Sequence, residues 1–442
     1  MAFKLDNQTI GDLKIFGDNQ GNDIYSLYNK TQTKGGAKVL KDMFTYPLSR
    51  AEEITARVNI IKHFRDYNLS FPFESHIFDT ITFYLSNIDE RTKLSVHKDN
   101  LQRKFDSLLG ANTDYTLLQK GTQTTLNFLI DLKNFSAGLE DEKEVLSTNK
   151  EISGIKEVIN HQNFNFLKNA KISNGLSYKQ TVGFDKLFRF EIRKDIQKIL
   201  QYIYNIDVYT TVATVGKEKN FEFAQIDKGK ENRIEIKGMY HPLVPNAKPN
   251  DISIDEKNNI IFLTGANMAG KSTFMKTFSI AIYLAHVGFP LPVKSMRFSP
   301  QAGMFTTINL ADNLNMGFSH FYAEVARVKE VANSVNANDN LIVVFDELFR
   351  GTNVKDAHNA TVAIIDAFAE KRRCTFVVST HIIEAGEDLK KMRDNIKFLY
   401  LPTIMNGNVP EYTYKITEGI TSDRHGMVII ENERILDILK AQ

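Results

Sequence analysis

The 442-residue chain has a single cysteine, Cys374. One thiol cannot build a disulfide framework, so a scaffold of the oxidised, secreted kind is excluded and a reducing, cytoplasmic setting is expected. Cys374 stands at the head of an apolar run and reads as core packing. No charged-then-apolar leader pattern opens the chain. No apolar stretch approaches a membrane span: the closest, Phe278 to Val293, contains His286 and two prolines, so no membrane partner is expected. There is no internal repeat and no long low-complexity segment. Charge of one sign is also missing. The net charge is +2, split as +3 over residues 1–230 and −1 over residues 231–442, so composition alone does not argue for nucleic acid. Hydrophobic residues make up 42% and charged residues 24%, which suits a globular chain long enough for two or three domains.

What is present is concentrated in the second half. Residues 260 to 273 read as a short apolar run, then Gly265, four residues, and Gly270-Lys271-Ser272. This is a phosphate-binding loop pattern. The two glycines let the backbone turn tightly with its N–H groups inward, and the helix expected from Ser272 to Val287 sets its N-terminus against an anion. The spacing therefore implies a nucleoside triphosphate with magnesium. The backbone from Gly265 through Ala266, Asn267, Met268 and Ala269 to Gly270, and on into Thr273, would cradle the phosphates. Lys271 would meet the β/γ-phosphates, and Ser272 would give a hydroxyl to the metal.

A second all-apolar run, Leu341 to Phe345, ends in Asp346-Glu347. Burial in a parallel sheet explains the run but not two consecutive carboxylates at its C-terminal end, where ligands of open α/β sheets bind. Asp346 is suited to hold magnesium, and Glu347 to orient or deprotonate the attacking water. A third strand, Thr375 to Thr380, ends at His381, a candidate γ-phosphate sensor.

Along the chain, residues 1–25 are polar and poorly periodic and read as a loose tail or lead-in. The segment 26–232 is mainly helical. Leu101, Phe105, Leu108 and Leu109 fall at helical spacing, as do Leu126, Phe128, Leu129 and Leu132, and Phe184 to Tyr204 continues the pattern. Ser136 to Ser153 reads as a loop or helix break. From 233 to 442 short apolar strands alternate with helical segments, which predicts an α/β domain with a largely parallel sheet. Asn333 to Asn340, with four asparagines, reads as a turn. Phe221-Glu222-Phe223 reads as strand packing, and the block Lys371 to Arg373 as the solvated end of a helix.

The loop in full, Thr264-Gly-Ala-Asn-Met-Ala-Gly-Lys-Ser-Thr273, resembles the MutS family of DNA mismatch repair ATPases, whose loop typically reads Thr-Gly-Pro-Asn-Met-Gly-Gly-Lys-Ser-Thr. Asp346 to Asn353 is similar to that family's Asp-Glu-hydrophobic-Gly-Arg-Gly-Thr-Ser, with Asn353 in place of the serine. Ser379-Thr380-His381 looks like its Ala-Thr-His, and the segment from Gly317 through Ser319 to Glu324 like its Gly-Arg-Ser-Thr-Phe-Met-x-Glu. Tyr240-His241-Pro242 resembles its Arg-His-Pro. Tyr414 to Gly419, then Gly426, matches its closing strand. In the first half, Thr33 to Leu40, Pro47-Leu48, Ile54 and Arg57 resemble the start of the lever domain, and Ile206-Asp207 to Ala213 its end.

The resemblance implies a multidomain α and α/β protein. A helical core/lever domain would be followed by a P-loop, ABC-type α/β ATPase domain that hydrolyses ATP with Mg2+. It implies a homodimer with composite ATP sites, in which Ser319 reaches the γ-phosphate bound by the partner subunit; the alternative for Ser319 is an ordinary helix N-cap. It adds His241 to the nucleotide-binding residues and implies double-stranded, mismatched or branched DNA, and other DNA-repair proteins, as partners. The family's N-terminal mismatch-reading and connector domains have no counterpart here, and the aromatic it sets ahead of the loop falls at Ala247. Two alternatives stay open. One is an ATP-driven switch acting on a protein partner with little DNA binding, which the near-neutral first half favours. The other, more distant, is a P-loop kinase acting on a small molecule.

Overall fold

The computed structural model describes residues 3–17, 21–67, 71–94, 113–138, 150–171, 175–229, 231–308, 320–337, 340–349, 351–406, 409–421 and 438–439. The chain divides into two compact units, and it crosses between them four times. The first unit gathers residues 1–28, 43–65 and 212–442, and the second 29–42 and 66–211. The division is interleaved: 43–65 and 212–232, within the segment expected to be helical, fall in the same unit as the sheets.

The second unit is helical. Its helices include His76–Ser86, Thr113–Gly138, Lys150–Ile159, Tyr178–Lys186 and the first two-thirds of Arg193–Glu218. Leu126, Phe128, Leu129 and Leu132 line the buried face of Thr113–Gly138, as their spacing predicts, and Phe78, Ile155, Phe164, Phe188 and Ile203 are buried in the same unit. A π-helical turn, Leu187–Glu191, interrupts the helical run between Phe184 and Tyr204. The Gly35-Gly36 pair has a packing reason: a Cβ on Gly35 would sit 2.4 Å from the Tyr204 ring, and one on Gly36 2.3 Å from the Asp207 carboxylate. Asp207 accepts hydrogen bonds from the backbone N–H groups of Gln32 and Thr33 at 3.0 and 2.8 Å, which fixes the start of the helix Lys34–Thr45. Of the break expected from Ser136 to Ser153, residues 136–138 and 150–153 are helical, in Thr113–Gly138 and Lys150–Ile159, and the rest lies outside the described residues. Leu101, Phe105, Leu108 and Leu109 lie outside the described residues.

The first unit holds two larger sheets. The strands are β1 (Ala224–Ile226), β2 (Arg233–Met239), β3 (Asn250–Asp255), β4 (Ile260–Gly265), β5 (Ser295–Phe298), β6 (Gly303–Thr307), β7 (Leu341–Phe345), β8 (Thr375–Ser379), β9 (Ile396–Leu401), β10 (Thr403–Asn406), β11 (Val409–Tyr412) and β12 (Thr417–Glu418). One sheet has the order β1-β5-β2-β3. The other has the order β12-β9-β4-β8-β7-β6, with β10 and β11 as a separate hairpin. In the six-stranded sheet all neighbours are parallel except β12 against β9, as the alternating pattern predicts. β4, β7 and β8 are buried along their whole length, so the sheet is covered on both faces and alternation is lost.

Of the two readings of residues 1–25, the loose tail fails and the lead-in stands: the described residues there are packed. The turn expected at Asn333 to Asn340 also fails. Helix Asn7–Asp12 is capped by Asp6, and Phe3, Leu13, Ile15 and Ile24 are buried. Asp12 accepts from the Thr306 hydroxyl and the Ile308 N–H at 2.7 and 2.8 Å, and Lys4 N–H bonds Ala302 O, so this segment covers the edge of β6. Asn333 to Ala337 is the end of a helix, His320–Ala337, not a turn: Val331 and Val335, four residues apart, are buried and outweigh the poor helix propensity of asparagine. The Phe221-Glu222-Phe223 stretch does pair as expected, through a bridge from Glu222 to Leu291.

Candidate functional site

Three neighbouring strands deliver the site. Register sets Leu263 of β4 beside Ser379 of β8, and Val378 of β8 beside Phe345 of β7. The residues following each strand therefore emerge side by side at the C-terminal edge of the sheet.

After β4 the chain turns through Gly265 (φ 147°), Met268 (φ 67°) and Gly270 (φ 102°) into the helix Lys271–Val287. The Gly270 conformation favours glycine, and a Cβ there would also approach the Tyr414 ring at 3.1 Å. Ala266 is half-buried, Ala269 buried, and Asn267 and Met268 exposed at the tip of the turn. Lys271 is only 5% exposed, and its ammonium donates to Gly265 O at 2.9 Å and Ala266 O at 3.2 Å, inside the turn it belongs to. Burial pushes the Lys271 ammonium below the usual lysine value; the Glu347 and Asp346 charges pull it back. Ser272 and Thr273 lie exposed on the first turn of the helix.

Asp346 is gripped at both oxygens by hydroxyls, Ser272 on Oδ2 and Ser379 on Oδ1. Burial raises its carboxyl above the usual range. The two hydroxyls pull it down, while the neighbouring Glu347 pushes it further up. Glu347 has a left-handed backbone (φ 52°), a sparsely populated region for a non-glycine residue. Its Oε1 lies 2.6 Å from His381 Nε2. The structure thus brings together Lys271, Ser272, Asp346, Glu347 and His381. Ser319 lies outside the described residues, as does Gly426.

His241 stands elsewhere. It lines a pocket of about 330 Å³ beside the start of the loop helix, with Ala247, Asn250, Thr273 and Tyr414 among the walls. Its Nδ1 accepts the Leu243 N–H at 3.3 Å, which leaves the proton of the neutral ring on Nε2. Burial lowers its pKa to about 4, helped by the charges of Lys276 and Lys14.

Two residues escaped the reading of the sequence. Tyr414 presents an aromatic ring, 46% exposed, to the pocket that Ala247 also lines. Ser379 joins both acids. Each belongs to a recognised motif, but nothing in the spacing marks its side chain as part of the site.

A serine hydroxyl and a carboxylate are hard oxygen donors of the kind magnesium takes. Among the described residues no group of three or more His, Cys, Asp or Glu side chains could hold an ion. A metal on Ser272 and Asp346 would complete its shell with phosphate and water oxygens, so the residues fit the group.

Fold and site define an α/β domain with a polar cluster at the C-terminal tips of a parallel sheet. Residues 261–438 match the MutS domain V family model, and domain V is that family's ATPase domain. The chain is 30% identical over 236 residues to the DNA mismatch repair protein MutS of Persephonella marina, covering 52% of this chain and 27% of that protein. To the MutS of Lactococcus lactis subsp. cremoris it is 28% identical over 316 residues, 69% of this chain and 36% of the relative. To that of Syntrophomonas wolfei it is 25% identical over 358 residues, 78% and 41%. Residues 261–438 are therefore of the MutS domain V kind, and the chain as a whole is similar to MutS proteins. It spans between about a quarter and two-fifths of the length of these relatives. Among the described residues no helix is long and apolar enough to cross a membrane.

Proposed function

We propose that this chain is a P-loop, ABC-type ATPase that binds ATP with Mg2+ at the tips of β4, β7 and β8 and hydrolyses it to ADP and phosphate. One observation carries the reading: Lys271 and Ser272 on one turn meet two consecutive acids on the next strand but one, with His381 2.6 Å from the second acid. In this reading residues 233–442 are the ATPase domain, and the helical part of 26–232 is the core/lever.

Bound ATP would draw Lys271 from the carbonyls of Gly265 and Ala266 to the β/γ-phosphates, while the backbone from Gly265 to Gly270 donates to their oxygens. Ser272 and Asp346 would hold the magnesium, whose chemistry is to neutralise charge on the phosphate oxygens. Glu347 takes the proton of the attacking water. His381 orients Glu347 and, with Asn267, senses the γ-phosphate. The base would enter the 330 Å³ pocket, where Tyr414 offers a flat face and His241 an Nε2–H donor. Ser319 would complete the site of the partner subunit in a homodimer, and hydrolysis would switch that dimer between open and closed states.

Binding of a fluorescent ATP analogue and phosphate release test the chemistry. Lys271→Ala should weaken binding at least tenfold. Glu347→Gln should keep ATP, hold the dimer closed and slow turnover by roughly 10²–10⁴-fold, the usual contribution of a general base. Turnover at the normal rate in Glu347→Gln would sink that assignment.

The names of the relatives support a DNA-associated role, on duplex, mismatched or branched DNA, beside other repair proteins. A net charge of +2 favours the second reading, a switch acting on a protein partner. Titrating binding to linear, mismatched and four-way junction DNA against salt separates the two. A steep slope with preference for one structure supports the first, and negligible binding at low salt leaves the second.

A further inference from the structure

We propose that Ser379 is a positioning residue that sets both acids of the site from beneath, fixing which Asp346 oxygen faces the metal and how Glu347 is aimed. The inference rests on the ATPase reading above. Ser379 ends β8 and is fully buried, with 0% of its surface exposed. Its hydroxyl has one proton and two lone pairs, and the geometry uses both kinds. The proton goes to Asp346 Oδ1. A lone pair accepts the Glu347 N–H at 3.1 Å. The Ser379 carbonyl accepts the Leu348 N–H at 3.4 Å, so three consecutive residues after β7 are tied to one residue of β8.

Two consequences follow. With Oδ1 occupied from below, Oδ2 is the oxygen left on the side of Ser272, where a metal would be shared. The left-handed conformation of Glu347 (φ 52°) is unfavourable for a residue with a Cβ and persists only if its surroundings hold it. The Ser379 hydroxyl holds its N–H, and that conformation carries the carboxylate to within 2.6 Å of His381.

The experiment uses the full chain with Ser379→Ala and the rescue variant Ser379→Thr. Three quantities are measured: the Mg2+ concentration for half-maximal binding of a fluorescent ATP analogue and for half-maximal turnover, analogue affinity in EDTA, and thermal unfolding. We expect Ser379→Ala to raise the half-saturating Mg2+ by roughly tenfold to a hundredfold, the usual effect of removing a group that orients a metal ligand. Affinity in EDTA should stay within twofold, and Ser379→Thr should restore the Mg2+ dependence. An unchanged Mg2+ requirement overturns the inference. So does a loss of affinity that is equal with and without Mg2+ and tracks a lower melting temperature, which would mark a structural role. If Ser379→Ala does not fold, Ser379→Cys, of similar size with a weak donor, gives the same reading. An unaltered chain that binds no ATP analogue overturns the ATPase reading, and the inference with it.

Discussion

Two aspartates, one in each compact unit, are held in opposite ways. In the helical unit Asp185 is 1% exposed and lies against the equally buried Arg189 guanidinium, whose Nε and Nη2 both donate to it at 2.6 Å; Tyr84 OH adds a third bond at 2.9 Å. Arg189 also donates to Asn87 O and Thr92 O, so charge and hydrogen-bonding capacity are used up within the unit. In the sheet unit Asp346 is held by two neutral hydroxyls, while the nearby Lys271 ammonium is turned onto backbone carbonyls. The first arrangement is complete as it stands. The second leaves a carboxylate shifted upward by burial and uncompensated by a direct cation, which suits a group that awaits a positive charge from outside. The fully buried acid paired with arginine is part of the architecture, while the half-buried acid held only by hydroxyls fits the proposed role of a metal ligand.

Substitutions that remove one charge from each cluster sharpen this contrast. The largest effect is expected from Asp185→Asn, which strands the Arg189 guanidinium: a loss of about 3–5 kcal/mol in urea unfolding. A cost under about 1 kcal/mol there would erase the distinction.

Next in size is a pH effect at His286, a fully buried polar group in the sheet unit. Its Nδ1–H donates to Leu48 O at 2.7 Å, and its Nε2 accepts the Gln301 N–H at 3.2 Å, so the neutral ring is fully bonded. Burial lowers its pKa to about 4, against the pull of the Leu48 bond. Because the folded value lies below the unfolded one, near 6.5, this histidine has no effect on stability above about pH 6.5. As pH falls toward 4, the unfolded chain takes up a proton that the folded chain refuses. Stability then drops by up to about 1.4 kcal/mol per pH unit, roughly 3 kcal/mol in all. Urea midpoints at pH 7, 5.5 and 4.5 should fall less steeply in His286→Gln, and equal slopes would remove the histidine from the account.

The smallest expected effect has the opposite sign. Asp346→Asn removes a half-buried charge that no cation pairs directly and should raise the melting temperature in EDTA, by the equivalent of about 1 kcal/mol, while lowering Mg2+-dependent turnover. A destabilised Asp346→Asn would place Asp346 with Asp185, as architecture.

Much of the site was legible because its elements are local in sequence. A glycine turn needs residues a few positions apart, and Asp346-Glu347 and His381 stand at the ends of runs too apolar to be anything but buried strands. The helical run of Leu126 to Leu132 was legible for the same reason. What escaped depends on contacts between distant segments. The N-terminal residues look polar and aperiodic, yet Asp12 and Thr9 spend their polarity on the edge of β6, nearly 300 residues away. Asparagines from 333 onward suggest a turn by propensity, but Val331 and Val335 keep that stretch helical. Tyr414 and Ser379 have no local pattern that singles them out.

The sequence by itself pointed to a phosphate ligand and to a resemblance to MutS, and it predicted the parallel sheet, because phosphate cradles and buried strands are written in short-range spacing. Only the tertiary structure decided which residues share a compact unit, which aspartate is neutralised and which is left available, and that a serine hydroxyl ties the two acids together. Those outcomes are set by strand register and by partners brought close across the chain, and no window of a few residues contains them.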